Sequence, residues 1–208
     1  MRVIWRVLMV SAALVGIVCL SSAIRTPWVY FTAQSNGLLV LYYGWRLLGG
    51  QGPAGLKGAV TLYLTITGLV AHFYLTGGGD PLLLLDRGPR GIGNLLLHYV
   101  TPLMAVADWL VWDRDRRPSW AAPLTWLAFP LVYAAFVVVR APSLPPGTRR
   151  RYVYPFLDVG RLGWDGFAMA VAVLAACFVV TGYALLVLHR LAGRRAQPGT
   201  LAEGDAPG

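Results

Sequence analysis

A threonine, two histidines and an arginine–tyrosine run have the types and placement to do chemistry here, because they lie in or beside long apolar stretches. A polar side chain inside a bilayer is costly, so its presence asks for a function. Thr32, Ser35 and Asn36 stand at i, i+3 and i+4 and share one helix face, with Gln34 beside them. Thr61, Thr65, Gly68 and His72 make a second stripe, and Asn94, His98, Thr101 and Ala105 a third that ends near Asp108. Farther along come Arg149, Arg150, Arg151 and Tyr152, then Tyr154-Pro155-Phe156-Leu157-Asp158. A hydroxyl beside an imidazole offers a nucleophile with its base. Two imidazoles at one depth, His72 and His98, also suit the axial positions of a haem in an electron carrier. Plainer uses exist for every one of these groups. Threonine back-bonds to its own helix, amides hold helices together, and arginines and aromatic rings anchor at the lipid interface.

The elements carrying these residues read as membrane spans. The chain is 57% hydrophobic and 13% charged, against about a quarter charged in a soluble domain. That balance excludes a soluble domain and, equally, a disordered chain. Two cysteines without a pairing pattern exclude a disulfide scaffold or zinc ribbon. A net charge of +9 in so apolar a chain marks arginines at helix ends and cytoplasmic loops, not a nucleic-acid surface. Crossing the hydrocarbon takes ~20 apolar residues, and six stretches qualify: 3–24, 28–48, 56–76, 94–112, 120–139 and 164–190. The expected fold is therefore all-α, an integral membrane bundle of six transmembrane helices over residues 1–195. Residues 196–208, rich in Gly, Pro and Ala, read as a disordered tail. The first stretch reads as a span, since it is long for a leader and the next span follows closely. The first, fifth and sixth spans look bland, Asp108 looks structural, and Asp80, Asp86 and the 113–117 charge run read as solvated.

Six spans put both termini on one side. Counting Lys and Arg gives ten on that side and eight on the other, which favours cytoplasmic termini in a cell membrane. Parity also predicts a meeting. Thr32, His72 and His98 all fall within roughly 6–8 Å of the opposite interface at 1.5 Å per residue. The loop holding Arg149, Arg150, Arg151 and Asp158 emerges there as well. Missing are a phosphate-binding glycine loop, H-E-x-x-H, G-x-S-x-G and C-x-x-C-H.

Phe31-Thr32-x-x-Ser35-Asn36, Asn94-x-x-x-His98 and Tyr154-Pro155-Phe156, in that order across residues 3–190, resemble the androgen-induced-gene-one/FAR-seventeen-a family and its bacterial six-span relatives. Animal members are intramembrane threonine hydrolases of fatty acid esters of hydroxy fatty acids. The resemblance implies Thr32 as nucleophile and His98 as catalytic histidine. After Thr32 this chain continues Ala33-Gln34-Ser35-Asn36, where the animal proteins are aromatic-rich, and Tyr99-Val100-Thr101-Pro102 after His98 also differs.

Such chemistry assigns further roles. A neutral histidine takes the threonine proton, and the oxyanion formed on an ester carbonyl needs donors, for which Gln34 and Asn36 are candidates. His72 is placed to orient His98 or serve the leaving alkoxide, and Asp158 to orient His98. Arg149, Arg150 and Arg151 suit a substrate carboxylate or headgroup. The expected partners are a fatty acyl ester and membrane lipids, without cofactor, metal or nucleic acid. The other readings are the bis-histidine haem protein and a non-enzymatic membrane or transport component.

Overall fold

The computed structural model describes residues 1–113, 118–148 and 150–195, and these are helical without a strand. Helix α1 covers Arg2–Ala23, α2 Phe31–Leu47 and α3 Ala54–Leu69, which widens into a π turn at Val70–Leu75. Helix α4, Gly88–Leu95, passes through a second π turn, Leu96–Val100, into α5, Thr101–Trp112. The short α6, Ala122–Thr125, leads into α7, Ala128–Arg140, and α8 covers Val159–Arg195. Among the described residues, five stretches are long and apolar enough to cross a membrane: 2–23, 54–74, 81–112, 122–143 and 159–193. The arrangement is consistent with a multi-pass membrane protein. Helix α2 has 17 residues, about 25 Å at 1.5 Å per residue, and its length keeps it out of that set. Gly163, at φ 68°, breaks the long last helix near Trp164, where the sequence places the start of the last span.

One end of the bundle is held by buried ions. The Arg6 guanidinium donates to both Asp108 oxygens at 2.9 and 3.0 Å and to Asp113 at 2.9 Å. Lys57 pairs with both carboxylates, Arg2 reaches Asp113 at 2.8 Å, and the Tyr43 hydroxyl donates to Asp108 at 3.1 Å. Arg6, Lys57, Asp108 and Asp113 are all buried. Two expectations are corrected here. The first span is not bland, and Asp113 is not solvated, because α1, α3 and α5 close over the cluster and exclude water; residues 114–117 lie outside the described residues. Asp108 is structural as expected. His189 of α8 stacks on Trp109 beneath this end, 4.5 Å between centroids at 12°.

Arg6 and Lys57 sit near the starts of α1 and α3 and meet the same carboxylate, so α2 must return through the bundle between them. Its outward side chains include Leu41 and Trp45, 70% and 60% exposed, comparable to Val18 on α1, Leu103 on α5, Val132 on α7 and Val180 on α8. Inside, α3 is the most enclosed helix, with 61% of its apolar window buried against 22% for α8. The core rings converge on Phe31, whose centroid lies 5.1–6.1 Å from those of Tyr63, Phe129, Tyr133 and Phe178. That aromatic cluster fixes the first turn of α2, and with it Thr32.

Candidate functional site

Thr32 is the second residue of α2 and is buried. Its hydroxyl does not back-bond to the helix. It lies 3.1 Å from His98 Nε2, while His98 Nδ1 lies 3.0 Å from the Asn94 carbonyl oxygen. A carbonyl only accepts, so in the neutral ring Nδ1 carries the proton and Nε2 accepts from Thr32. This is the arrangement a general base needs, with a backbone carbonyl where a hydrolytic triad has its carboxylate.

The local sequence explains why His98 points there. Pro102 follows it by four residues and has no N–H for the His98 carbonyl, which its ring also crowds. The helix answers with the π turn at Leu96–Val100, closed by the Thr101 N–H to the Leu96 carbonyl five residues back. Gly68 of α3 packs against the released His98 carbonyl oxygen, so closely that a Cβ there would stand 2.7 Å away. Asn36 ties the turn to α2. Its amide donates to the Thr32 and Leu97 carbonyls at 2.9 and 3.3 Å, and its oxygen accepts from Thr101 at 2.7 Å.

Two cavities meet at the pair. A small apolar one of about 80 Å³ lies between α3, α7 and α8, bounded by Ile66, Val70, Pro130, Leu131, Leu174 and Phe178. Leu131 is 45% exposed on the flank of α7, so the slot opens towards where lipid would lie. A larger one of about 770 Å³ opens at the end of the bundle and is lined by Arg87, Arg90, Arg150, Arg151 and Arg161, with Asp158 its one carboxylate among the described lining residues. Thr32, His98 and Tyr154 border both. The Tyr154 phenol faces the Thr32 side chain and the backbone of Thr32 and Phe31; burial, against those polar neighbours, pushes its pKa up to about 12. It is a neutral donor at physiological pH.

The other sequence candidates fall unevenly. Arg150 and Arg151 line the large cavity, Arg150 donating to the Tyr30 hydroxyl at 2.7 Å and Arg151 to the Ala141 carbonyl at 2.6 Å. Arg149 lies outside the described residues. Gln34 and Asn36 do not serve as oxyanion donors, because the Gln34 amide donates to the Trp28 carbonyl at 2.8 Å and both Asn36 donor bonds end on carbonyls. His72 does not reach His98; its Nδ1 is 3.4 Å from the Tyr99 hydroxyl, and its ring packs edge-on to Phe73. Asp158 lines the cavity, but its Oδ1 accepts from the Arg161 N–H at 3.1 Å and caps the start of α8 rather than orienting His98. A haem held by His72 and His98 has no basis in this geometry, since His98 Nε2 faces Thr32. Thr61 and Thr65 keep the plainer role, donating to the carbonyls of Lys57 and Thr61.

Sequence reasoning missed Tyr154 as a neighbour of Thr32, because its motif first reads as an interfacial aromatic belt. It also missed Arg87, Arg90 and Arg161, which sit singly in loops or helix ends and carry no local pattern. Pro102 was the legible signal for the His98 turn. No family model, curated protein or solved structure matches this chain.

Proposed function

We propose that the protein is a six-span lipid hydrolase of the cell membrane, with cytoplasmic termini, that cleaves fatty acyl esters with Thr32 as nucleophile and His98 as base. The resemblance to the androgen-induced-gene-one/FAR-seventeen-a family is the source of the activity. The observation that carries it is the Thr32 hydroxyl 3.1 Å from His98 Nε2 at the junction of an apolar slot and a cationic cavity. The sixth span is α2, supported by its return between α1 and α3 and by outward-facing Leu41 and Trp45.

The steps follow from the residues present. His98 Nε2 takes the Thr32 proton as Oγ1 attacks the ester carbonyl carbon. Tyr154 and the first-turn amides of α2, which no preceding helix carbonyl can satisfy, are the donors nearest the developing oxyanion. The carbon–oxygen bond to the alcohol half breaks, and that half leaves with the proton held on His98. Water, deprotonated by His98, then attacks the acyl-threonine, releases the fatty acid and restores the Thr32 hydroxyl. The acyl chain lies in the apolar slot, and the polar half in the arginine-lined cavity.

The test is covalent labelling of the detergent-purified protein with a fluorophosphonate, which forms an Oγ1–phosphorus bond and expels fluoride. Wild type and Thr32→Ser label, whereas Thr32→Ala and His98→Ala do not, with thermal melts showing all four folded. Folded wild type that neither labels nor cleaves acyl esters refutes the hydrolase and favours a non-enzymatic membrane component.

A further inference from the structure

The large cavity presents far more positive charge than a substrate carboxylate needs. Five arginines from the α4 start, the segment before α8 and α8 itself line the cavity with the one carboxylate of Asp158, whose Oδ1 is already engaged by the Arg161 backbone N–H. Arg150 and Arg151 are partly committed to Tyr30 and to the Ala141 carbonyl. Arg87, Arg90 and Arg161 have no side-chain partner among the described residues. The opposite end of the same protein supplies a scale. There three cations, Arg2, Arg6 and Lys57, are matched by two carboxylates, and one carboxylate is saturated by a single bidentate arginine with help from Lys57 and Tyr43. Arg87, Arg90 and Arg161 are exposed to the cavity and its solvent rather than buried like Arg6 and Lys57, and together they suit a ligand with about two negative charges spread over three or more oxygens. A phosphate group has that charge and that number of acceptors, and the planar guanidinium fork matches its edges.

We infer that this vestibule binds the phosphate of a phosphate-bearing acyl glycerol, with Arg87, Arg90 and Arg161 as the headgroup ligands. Because Thr32 and His98 border the vestibule and the apolar slot alike, a lipid seated with its phosphate here and its chain in the slot carries its ester between them. What becomes of the ester rests on the hydrolase reading above; the headgroup site does not.

The test measures binding to Thr32→Ala protein in nanodiscs of zwitterionic lipid, so that no substrate is consumed. Oleoyl lysophosphatidic acid is compared with monoolein, which lacks the phosphate, and with oleate, which offers a carboxylate. The expected result is binding of the lysophosphatidic acid at least about tenfold tighter than either, with the preference shrinking as salt is raised, as Debye screening requires. An Arg87→Gln/Arg161→Gln double variant keeps the melting temperature of its parent and loses the preference. Equal affinity for all three lipids, or a preference that survives the double variant, overturns the site and leaves the arginines as interfacial anchors. Oleate binding as tightly as the phosphate lipid overturns the phosphate assignment. Displacement by micromolar inorganic phosphate assigns the pocket to a free anion and overturns the lipid. Headgroup preference in a wild type that cleaves nothing refutes the hydrolase and leaves this site standing; hydrolysis without headgroup preference does the reverse.

Discussion

Gly68→Ala tests the link between fold and site most directly. A Cβ at position 68 of α3 would sit 2.7 Å from the His98 carbonyl oxygen. That is about 0.7 Å short of ordinary van der Waals contact, so α3 and the π turn must separate by a few tenths of an ångström or more. His98 has little slack. Its Nε2 is 3.1 Å from the Thr32 hydroxyl, and a similar shift carries the pair past the useful range of a hydrogen bond. Overpacking of this kind costs about 1–3 kcal/mol of stability. Misplacement of about 1 Å costs ~100-fold in rate, so a shift of a few tenths of an ångström predicts roughly a tenfold slower reaction with the fluorophosphonate. Gly44→Ala is the control, because nothing lies within 4 Å of a Cβ there, and alanine in a helix interior gains up to ~1 kcal/mol. The assay is the labelling time course beside a thermal melt for each protein. Gly68→Ala that melts and labels like wild type refutes the close approach. A lowered melt with an unchanged labelling rate refutes the coupling to His98.

The ionic end yields a second expectation. Asp108→Asn leaves Arg6 and Lys57 buried against Asp113 alone, and should destabilise by about 3–5 kcal/mol, the usual cost of breaking a buried pair from one side; a purified variant whose melt matches wild type counts against the cluster. Burial alone raises the Asp113 pKa, but Lys57, Arg6 and Arg2 outweigh it and hold the carboxyl below its usual 3.8. A depressed carboxylate contributes stability above its unfolded pKa and loses it as pH falls through the folded value. Melts should therefore be insensitive to this group from neutral pH down to 3.8 and drop below it, with Asp113→Asn flattening that acid limb. Tyr154→Phe removes a donor beside Thr32 without emptying the site, and labelling should slow by about 100-fold, the range for loss of one oxyanion donor. Because the Tyr154 pKa is pushed up to about 12, the wild-type labelling rate should show no alkaline loss from this group at pH 9; a decline there that Tyr154→Phe abolishes contradicts its environment.

Hydropathy made the apolar helices legible, because lipid-facing side chains such as Val18, Leu103 and Val180 must be apolar all along each crossing. It also picked out 28–48, where α2 opens on the polar Thr32, Gln34, Ser35 and Asn36 and, with 17 residues, returns through the bundle as the shortest of the long helical stretches. Charge was misread. Arg6 and Asp113 look like interfacial charges when counted by loop, yet ion pairing among α1, α3 and α5 buries them, and no local pattern announces a partner about a hundred residues away. At the site, parity placed Thr32 and His98 at one depth, and the structure brings them into contact. Depth alone cannot choose a face, so the same argument wrongly drew in His72, which turns towards Tyr99. Of the two roles open to Gln34 and Asn36, oxyanion donor or structural tie, the structure shows the second, because short amides beside a helix start reach backbone carbonyls before they reach a cavity.

The two ends of the bundle divide the polar chemistry in a way that bears on what the site can do. At one end, the cations and carboxylates of α1, α3 and α5 satisfy each other, and a rigid anchor results. At the other, the arginines outnumber the carboxylate, and the pairing is left open. A helix bundle gains nothing in stability from unpaired guanidiniums, since like charges around one cavity repel. Their cost is small because Arg87, Arg90 and Arg161 are exposed, and a bound anion would turn it favourable. The Thr32–His98 pair sits where that cationic space meets an apolar slot. A polar substrate without a chain would leave the slot unused, and an apolar one would leave the arginines unpaired. On the proposal above, an amphiphile with a negative head fills both at once, with its ester-bearing region beside Thr32 and His98.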